Sequence, residues 1–148
     1  AGPLFGDTAE PDDLASGTIY VLRSKSAHPY VDEHRELIHK IGVTGQPVAS
    51  RIANARNDPT FLLADVEVVA EYRLYNINRT KLENLIHRAL APARLDLSAG
   101  DRFGKTVQPR EWFLAPLSAI NELVARICDG SITEYQYDPA KAQFVEGK

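Results

Sequence analysis

A chain of 148 residues, 44% of them hydrophobic, has the size of one ordinary domain and enough apolar material for a full core. No apolar run approaches the ~18–20 residues of a membrane span, nothing resembles a secretory leader, and the single Cys128 excludes an internal disulfide framework or a cysteine-based zinc site. The formal net charge of −3 argues against a generally basic nucleic-acid binder, yet the acids gather at the ends, so that residues 17–128 hold 15 bases against 12 acids, a balance of +3.

The chain opens AGPLFG and contains no methionine, which reads as an excised domain of a longer protein with a cleavage remnant at its front. Residues 1–16 are rich in Asp, Pro and Gly without apolar periodicity and predict a flexible lead-in. GTIYVLRS (17–24) predicts a strand, KSAHPYVDEHRE (25–36) a polar loop, and LIHKIGVT (37–44) a second strand. PVASRIANAR (47–56) predicts a helix with Pro47 at its first position and Val48, Ile52 and Ala55 on one stripe.

ADVEVVAEYRLY (64–75) predicts a third strand in which Val66, Val68 and Ala70 alternate with Asp65 and Glu67. NRTKLENLIHRALAPA (78–93) predicts a helix capped by Asn78, stopped by Pro92 and buried along Leu82, Leu85, Ile86 and Leu90. A glycine-containing loop (95–109), a short strand or turn at REWFL, a helix over 116–130 between Pro116 and Gly130, and a terminal hairpin around Asp138-Pro139 complete the chain. The order predicts an α+β domain over 17–130, a small and mostly antiparallel sheet flanked by helices, with 131–148 as a C-terminal extension. No glycine-rich phosphate loop of the Rossmann or Walker type is present.

Strand alternation places Tyr20 on the face opposite Ile19 and Val21, and Lys40, Gly42 and Thr44 on the face opposite His39, Ile41 and Val43. Pairing of the two strands would bring Tyr20 and Lys40 onto one face, with Gly42 and Gly45 leaving room for a ligand to approach the backbone. The same pattern also suits a hairpin with a half-buried tyrosine and a surface lysine. Arg51 can aim its guanidinium over the sheet from a helix start that adds partial positive charge, or can lie along a boundary position with its head in water. Glu83 and His87 share a helix face at i,i+4, as a carboxylate metal ligand with a nearby histidine or as a weak exposed ion pair. Trp112 and Phe113 read as core.

Taken together, GTIYVL ending in Tyr20, KIGVT beginning at Lys40, Arg51 in the following helix and Glu83 in the later one resemble the GIY-YIG nuclease superfamily. More narrowly, YVLRS, HKIGVT, RIANAR, LENLIHRAL and EWF in this order resemble its branch named after a meiotically up-regulated fission-yeast gene (the gene 113 type), over roughly residues 17–127. Lys40 stands where the motif has its second tyrosine. Asn121 is the nearest match to an asparagine that many members carry late in the domain, and the loop 25–36 exceeds the minimal hairpin connection.

The resemblance implies a metal-dependent endonuclease that hydrolyses DNA phosphodiester bonds, the effector module of a larger cytoplasmic protein of bacterial or phage origin. It implies one divalent ion, Mg²⁺ or Mn²⁺, on Glu83; Tyr20 as general base or water-orienting group, with its phenolate favoured by Lys40 and by the metal's field; and Arg51 as the clamp on the scissile phosphate. It leaves Lys40 as the other side of the phosphate site, and His39 and His87 as phosphate contacts or proton relays, His39 being equally able to lie beneath the sheet. The alternatives are a nucleic-acid-binding module of the same fold with weak catalysis, and a protein-interaction domain docking through its acidic ends.

Overall fold

The computed structural model describes residues 15–95 and 111–147. The expected lead-in, except its last two residues, and nearly all of the expected loop 95–109 lie outside the described residues. Strands β1 (Ala15–Ser24) and β2 (Ile38–Thr44) pair antiparallel, with Ile19 opposite Val43, Tyr20 opposite Gly42 and Leu22 opposite Lys40. Strand β3 (Val66–Ile77) adds to the free edge of β1 and β4 (Trp112–Leu114) to that of β2, both antiparallel, giving the order β3-β1-β2-β4. This is the α+β architecture expected, closed by the hairpin of β5 (Tyr135–Asp138) and β6 (Gln143–Glu146).

The odd-numbered residues of the central hairpin form the back face. Ile19, Val21 and Ile41 are buried there against Leu82, Leu85 and Ile86 of α3 (Arg79–Ala89) and Ile120, Leu123 and Ile127 of α4 (Leu117–Asp129). Helix α3 starts as predicted: the Asn78 side-chain oxygen accepts the Lys81 N–H at 3.0 Å, satisfying one orphan donor of the first turn. Helix α4 ends at Gly130, whose φ of 83° lies in the left-handed region that only glycine enters without strain. Tyr137 and Phe144 of the terminal hairpin, edge to face at 5.2 Å, join this core.

The even-numbered residues form the front face, where Tyr20 and Leu22 pack with Val48, Ala55 and Phe61. The helix expected over 47–56 is here a single turn, α2 (Val48–Ile52), followed by 3₁₀ turns at Ala55–Asn57 and Pro59–Phe61. Asn54, Asn57 and Asp58 explain the break: Asn57 Nδ2 donates to Asn54 Oδ1, and Asp58 Oδ1 accepts the Thr60 N–H, so side chains replace helical backbone bonds. The predicted stripe survives it, with Val48, Ile52 and Ala55 in one cluster.

Two other expectations need correction. The polar stretch 25–36 contains a short helix α1 (Pro29–Glu33), started by Pro29 and capped by His28 Nδ1, which accepts the Tyr30 N–H at 3.2 Å. Arg35 then donates to Ser24 O, Ser26 O and Asp32, stapling this excursion to the end of β1. In β3 the alternation is interrupted, because the partners step from Val21–Ala70 to Leu22–Val68 and leave Val69 as the extra residue of a bulge. Val66 therefore packs on the front while Ala70 and Tyr72 pack on the back, so Val66, Val68 and Ala70 do not share a face.

Candidate active site

Tyr20 and Gly42 stand directly opposite each other in the central hairpin. A Cβ built on Gly42 would lie 2.3 Å from both Cζ and Oη of Tyr20, so the missing side chain is the space the tyrosine ring occupies. At Gly45 a Cβ would lie 2.7 Å from an Arg79 guanidinium nitrogen. The gap at Gly42 is thus filled by Tyr20, while Gly45 is crowded on its Cβ side by Arg79 and remains exposed.

The phenol of Tyr20 reaches across the front face to Arg51. Burial raises the Tyr20 pKa above its ordinary 10, and the hydrogen bond and charge of Arg51 oppose that rise without cancelling it. Tyr20 is therefore a neutral phenol at pH 7. The expected phenolate-stabilising partner, Lys40, is not the group that does this work. Arg51 sits in the single turn of α2 and is itself exposed. A helix this short contributes little dipole, so the positive charge at this point is the guanidinium's own.

Lys40 turns inward. Only 4% of its side chain is exposed, its Nζ lies 2.8 Å from Glu111 Oε1, and it sits 4.8 Å above the Phe61 ring. The lysine expected on the phosphate side of the site is thus committed to an internal ion pair. Glu83 projects from α3, which packs against β2. Its carboxyl is raised above the ordinary 4.5 by burial and by the charge of Glu111, while Arg51 and Lys40 pull it down. Tyr20, in turn, feels Arg51, Glu111 and Glu83. One electrostatic neighbourhood therefore contains Tyr20, Lys40, Arg51, Glu83 and Glu111, drawn from β1, β2, α2, α3 and the residue before β4.

His39 is fully buried on the back face, its Nδ1 donating to Ala115 O at 2.8 Å and its Nε2 accepting from Arg23 Nε at 3.2 Å. Burial holds its pKa below 6.5, consistent with a neutral ring in that tautomer. His87 meets Phe113 edge to face at 5.8 Å on α3, one turn beyond Glu83. Asn121 accepts the Tyr72 hydroxyl on the back side of the sheet, away from Tyr20. Trp112 and Phe113 are fully buried as expected, on opposite faces, with Trp112 Nε1 donating to Thr60 O at 3.0 Å.

Sequence reasoning missed Glu111. Within REWFL only Trp112 and Phe113 draw attention as core, and the acid before them has no spacing motif of its own. An acid immediately before a buried strand that could pair with a lysine-bearing one was the available signal.

A groove of about 450 Å³ lined by Thr44, Gly45, Gln46, Ser50 and Arg51 opens beside the site. A larger cavity of about 620 Å³ lies between α3 and the terminal hairpin, lined by Arg88, Tyr135 and Glu146 among others, and shares no residue with the Tyr20–Glu83 cluster. The smaller groove meets the Tyr20–Glu83 cluster through Arg51, which lines the groove and bonds the Tyr20 hydroxyl.

The fold is an α+β domain built on an antiparallel sheet, and its family match gives the coarse class of a nuclease-related domain. The T5orf172 domain model matches residues 17–128, and the chain belongs to that family. Over 121 residues it is 40% identical to the Bacillus subtilis (strain 168) protein called "Uncharacterized protein YeeC", the match covering 82% of this chain and 31% of that one. The chain thus spans about a third of that relative's length. No solved structure matches it. No helix among the described residues is long and apolar enough to cross a membrane.

Proposed function

We propose that this domain is a metal-dependent endonuclease of the GIY-YIG type, close to the gene 113 branch, and that it hydrolyses DNA phosphodiester bonds as the effector module of a longer protein. The observation that carries the reading is the convergence of Tyr20, Arg51 and Glu83 in one electrostatic neighbourhood, from three elements separated in sequence.

Each residue supplies something the reaction requires. Cleaving a phosphodiester needs an oriented water, neutralisation of charge building on the phosphate, and help for the departing oxygen. Arg51, exposed beside the groove, offers a planar fork matched to two phosphate oxygens. Tyr20, neutral and fixed over Gly42, orients a water through its hydroxyl. Because burial keeps that phenol protonated, orientation is the role it can fill before substrate enters.

Glu83 fits a divalent cation. Its carboxylate is half-buried and feels the like charge of Glu111, a repulsion that a bound cation would ease. No group of three or more His, Cys, Asp or Glu side chains gathers as a metal cage among the described residues. A site with few carboxylates and several waters suits Mg²⁺ or Mn²⁺. When bound, the ion supplies positive charge against the transition state's developing negative charge.

The test is incubation of the domain with plasmid and single-stranded DNA, with and without Mg²⁺ or Mn²⁺. Metal-dependent cutting is expected, weakened about 10²-fold or more in a Glu83→Ala variant. Wild-type cutting no greater than that of the variant refutes the enzyme. Salt-sensitive DNA binding without turnover, equal in both proteins, would instead establish a binding module.

A further inference from the structure

We propose that Glu111 is a positioning residue of this site: the buried Lys40 anchors its carboxylate on the side of Glu83, where its negative charge would support Glu83 in holding the divalent cation. The inference rests on the nuclease reading above and adds to it a residue and a purpose for Lys40.

Glu111 is held at both ends. Lys40 pairs with Trp112 in the β2–β4 ladder, and the Glu111 carbonyl accepts the Ile41 N–H at 3.0 Å, so its backbone is registered to the strand that carries Lys40. Its carboxylate then meets Nζ of Lys40 at 2.8 Å. Exposure within the pair is lopsided, at 4% for the lysine side chain and 29% for the glutamate. The ammonium faces inward over Phe61, and the carboxylate is the end that opens outward.

Stability does not explain such a pair. Desolvating two charges generally offsets their attraction, and apolar residues of similar size do as well or better. Leu22, directly opposite Lys40, is already apolar, so an aliphatic residue at position 40 would extend the front-face cluster. The arrangement makes sense if a carboxylate has to stand at this point without swinging away. Lys40, which holds Glu111, shares the front face with Tyr20 and stands two residues from Gly42 beneath the tyrosine ring. Helix α3 with Glu83 packs against the same strand, and both Glu83 and Tyr20 feel Glu111's charge. Two acids balanced by Lys40 and Arg51 leave a nearly neutral neighbourhood in which an added cation meets oxygen donors rather than excess positive charge. The lysine at the second-tyrosine position thus acts through Glu111 and not on the phosphate.

The experiment measures Mn²⁺ binding to the chain by titration calorimetry or electron paramagnetic resonance, without DNA or turnover. Wild type should bind Mn²⁺ in a manner lost in Glu83→Ala. Glu111→Gln, the same shape without the charge, should weaken binding about tenfold to a hundredfold, the usual cost of removing a group that supports a metal ligand. Glu111→Asp should recover part of the loss. The double variant Lys40→Met with Glu111→Leu removes both charges and should keep the fold while showing the same weakened affinity. It decides the matter if Glu111→Gln alone does not fold. Folded variants that bind Mn²⁺ as tightly as wild type overturn the role of Glu111 and leave the Glu83 site standing. Absence of Glu83-dependent Mn²⁺ binding in wild type removes the metal site itself, and this proposal with it.

Discussion

The two faces of the central hairpin are built from alternate residues of the same two strands, yet they are organised on opposite principles. The back carries Ile19, Val21 and Ile41 against two long amphipathic helices, and apolar contact does nearly all the holding. The front carries Tyr20 and Lys40 beneath one helical turn and two 3₁₀ turns, and each buried polar group there has a designated partner: Arg51 for the phenol, Glu111 for the ammonium. One face can therefore secure the fold while the other accommodates charges that a core would reject. The difference predicts that damage to the back will appear as lost stability, and damage to the front as lost function at smaller cost in stability.

The largest stability effect should come from the back. Leu123 is fully buried between α4 and the sheet, and Leu123→Ala should cost about 2–5 kcal/mol in denaturant unfolding. The fraction that remains folded should bind Mn²⁺ as wild type does. A loss of affinity in that folded fraction would show that the faces are coupled.

Gly42→Ala attacks the front through sterics alone. The new Cβ would fall 2.3 Å from the Tyr20 ring, closer than any real contact, so the ring must shift and the hydroxyl must leave Arg51. Overpacking of this kind costs about 1–3 kcal/mol. Nuclease activity per folded molecule should fall much further than that stability loss accounts for. Activity close to wild type would mean that the position of Tyr20 is unimportant.

Much of this division was legible in the chain. Strand alternation placed Tyr20 and Lys40 on one face, Asn78 and Gly130 marked helix ends, and the stripe of Leu82, Leu85 and Ile86 identified the buried side of α3. The failures share a cause, which is that they depend on partners distant in sequence or on a single irregular residue. Lys40 finds Glu111 71 positions away, and no spacing rule encodes whether a lysine turns to solvent or to such a partner. The bulge at Val69 reverses the faces of the residues before it, an outcome that a window centred on β3 alone cannot contain. His39 could be placed on the Ile41 face by parity, but its depth depended on Ala115 and Arg23 being there to satisfy both ring nitrogens.

His39 gives the smallest effect and the cleanest separation of the two faces. It is the ionisable side chain lodged in the otherwise apolar back of β2, neutral because burial lowers its pKa below 6.5. Unfolding frees it to take up a proton at about its ordinary pKa. Its contribution to stability is thus fully present above pH 6.5 and is lost as pH falls from there toward the lowered folded value. The unfolded state binds the extra proton throughout that window, with a slope of no more than about 1.4 kcal/mol per pH unit. Glu83 acts with the opposite sign, because a raised carboxyl pKa makes the folded state take up its proton first on acidification. Denaturant stabilities of wild type and His39→Gln, measured from pH 7.5 down to 5.5, separate the two, since both proteins retain Glu83. Wild type should lose stability relative to the variant as pH falls, and equal pH slopes would mean that His39 already titrates freely in the folded protein. Over the upper part of this range, where His39 stays neutral in both states of the site, Mn²⁺ affinity should be the same in the two proteins. Protonation on the back face then reaches the front only through global unfolding.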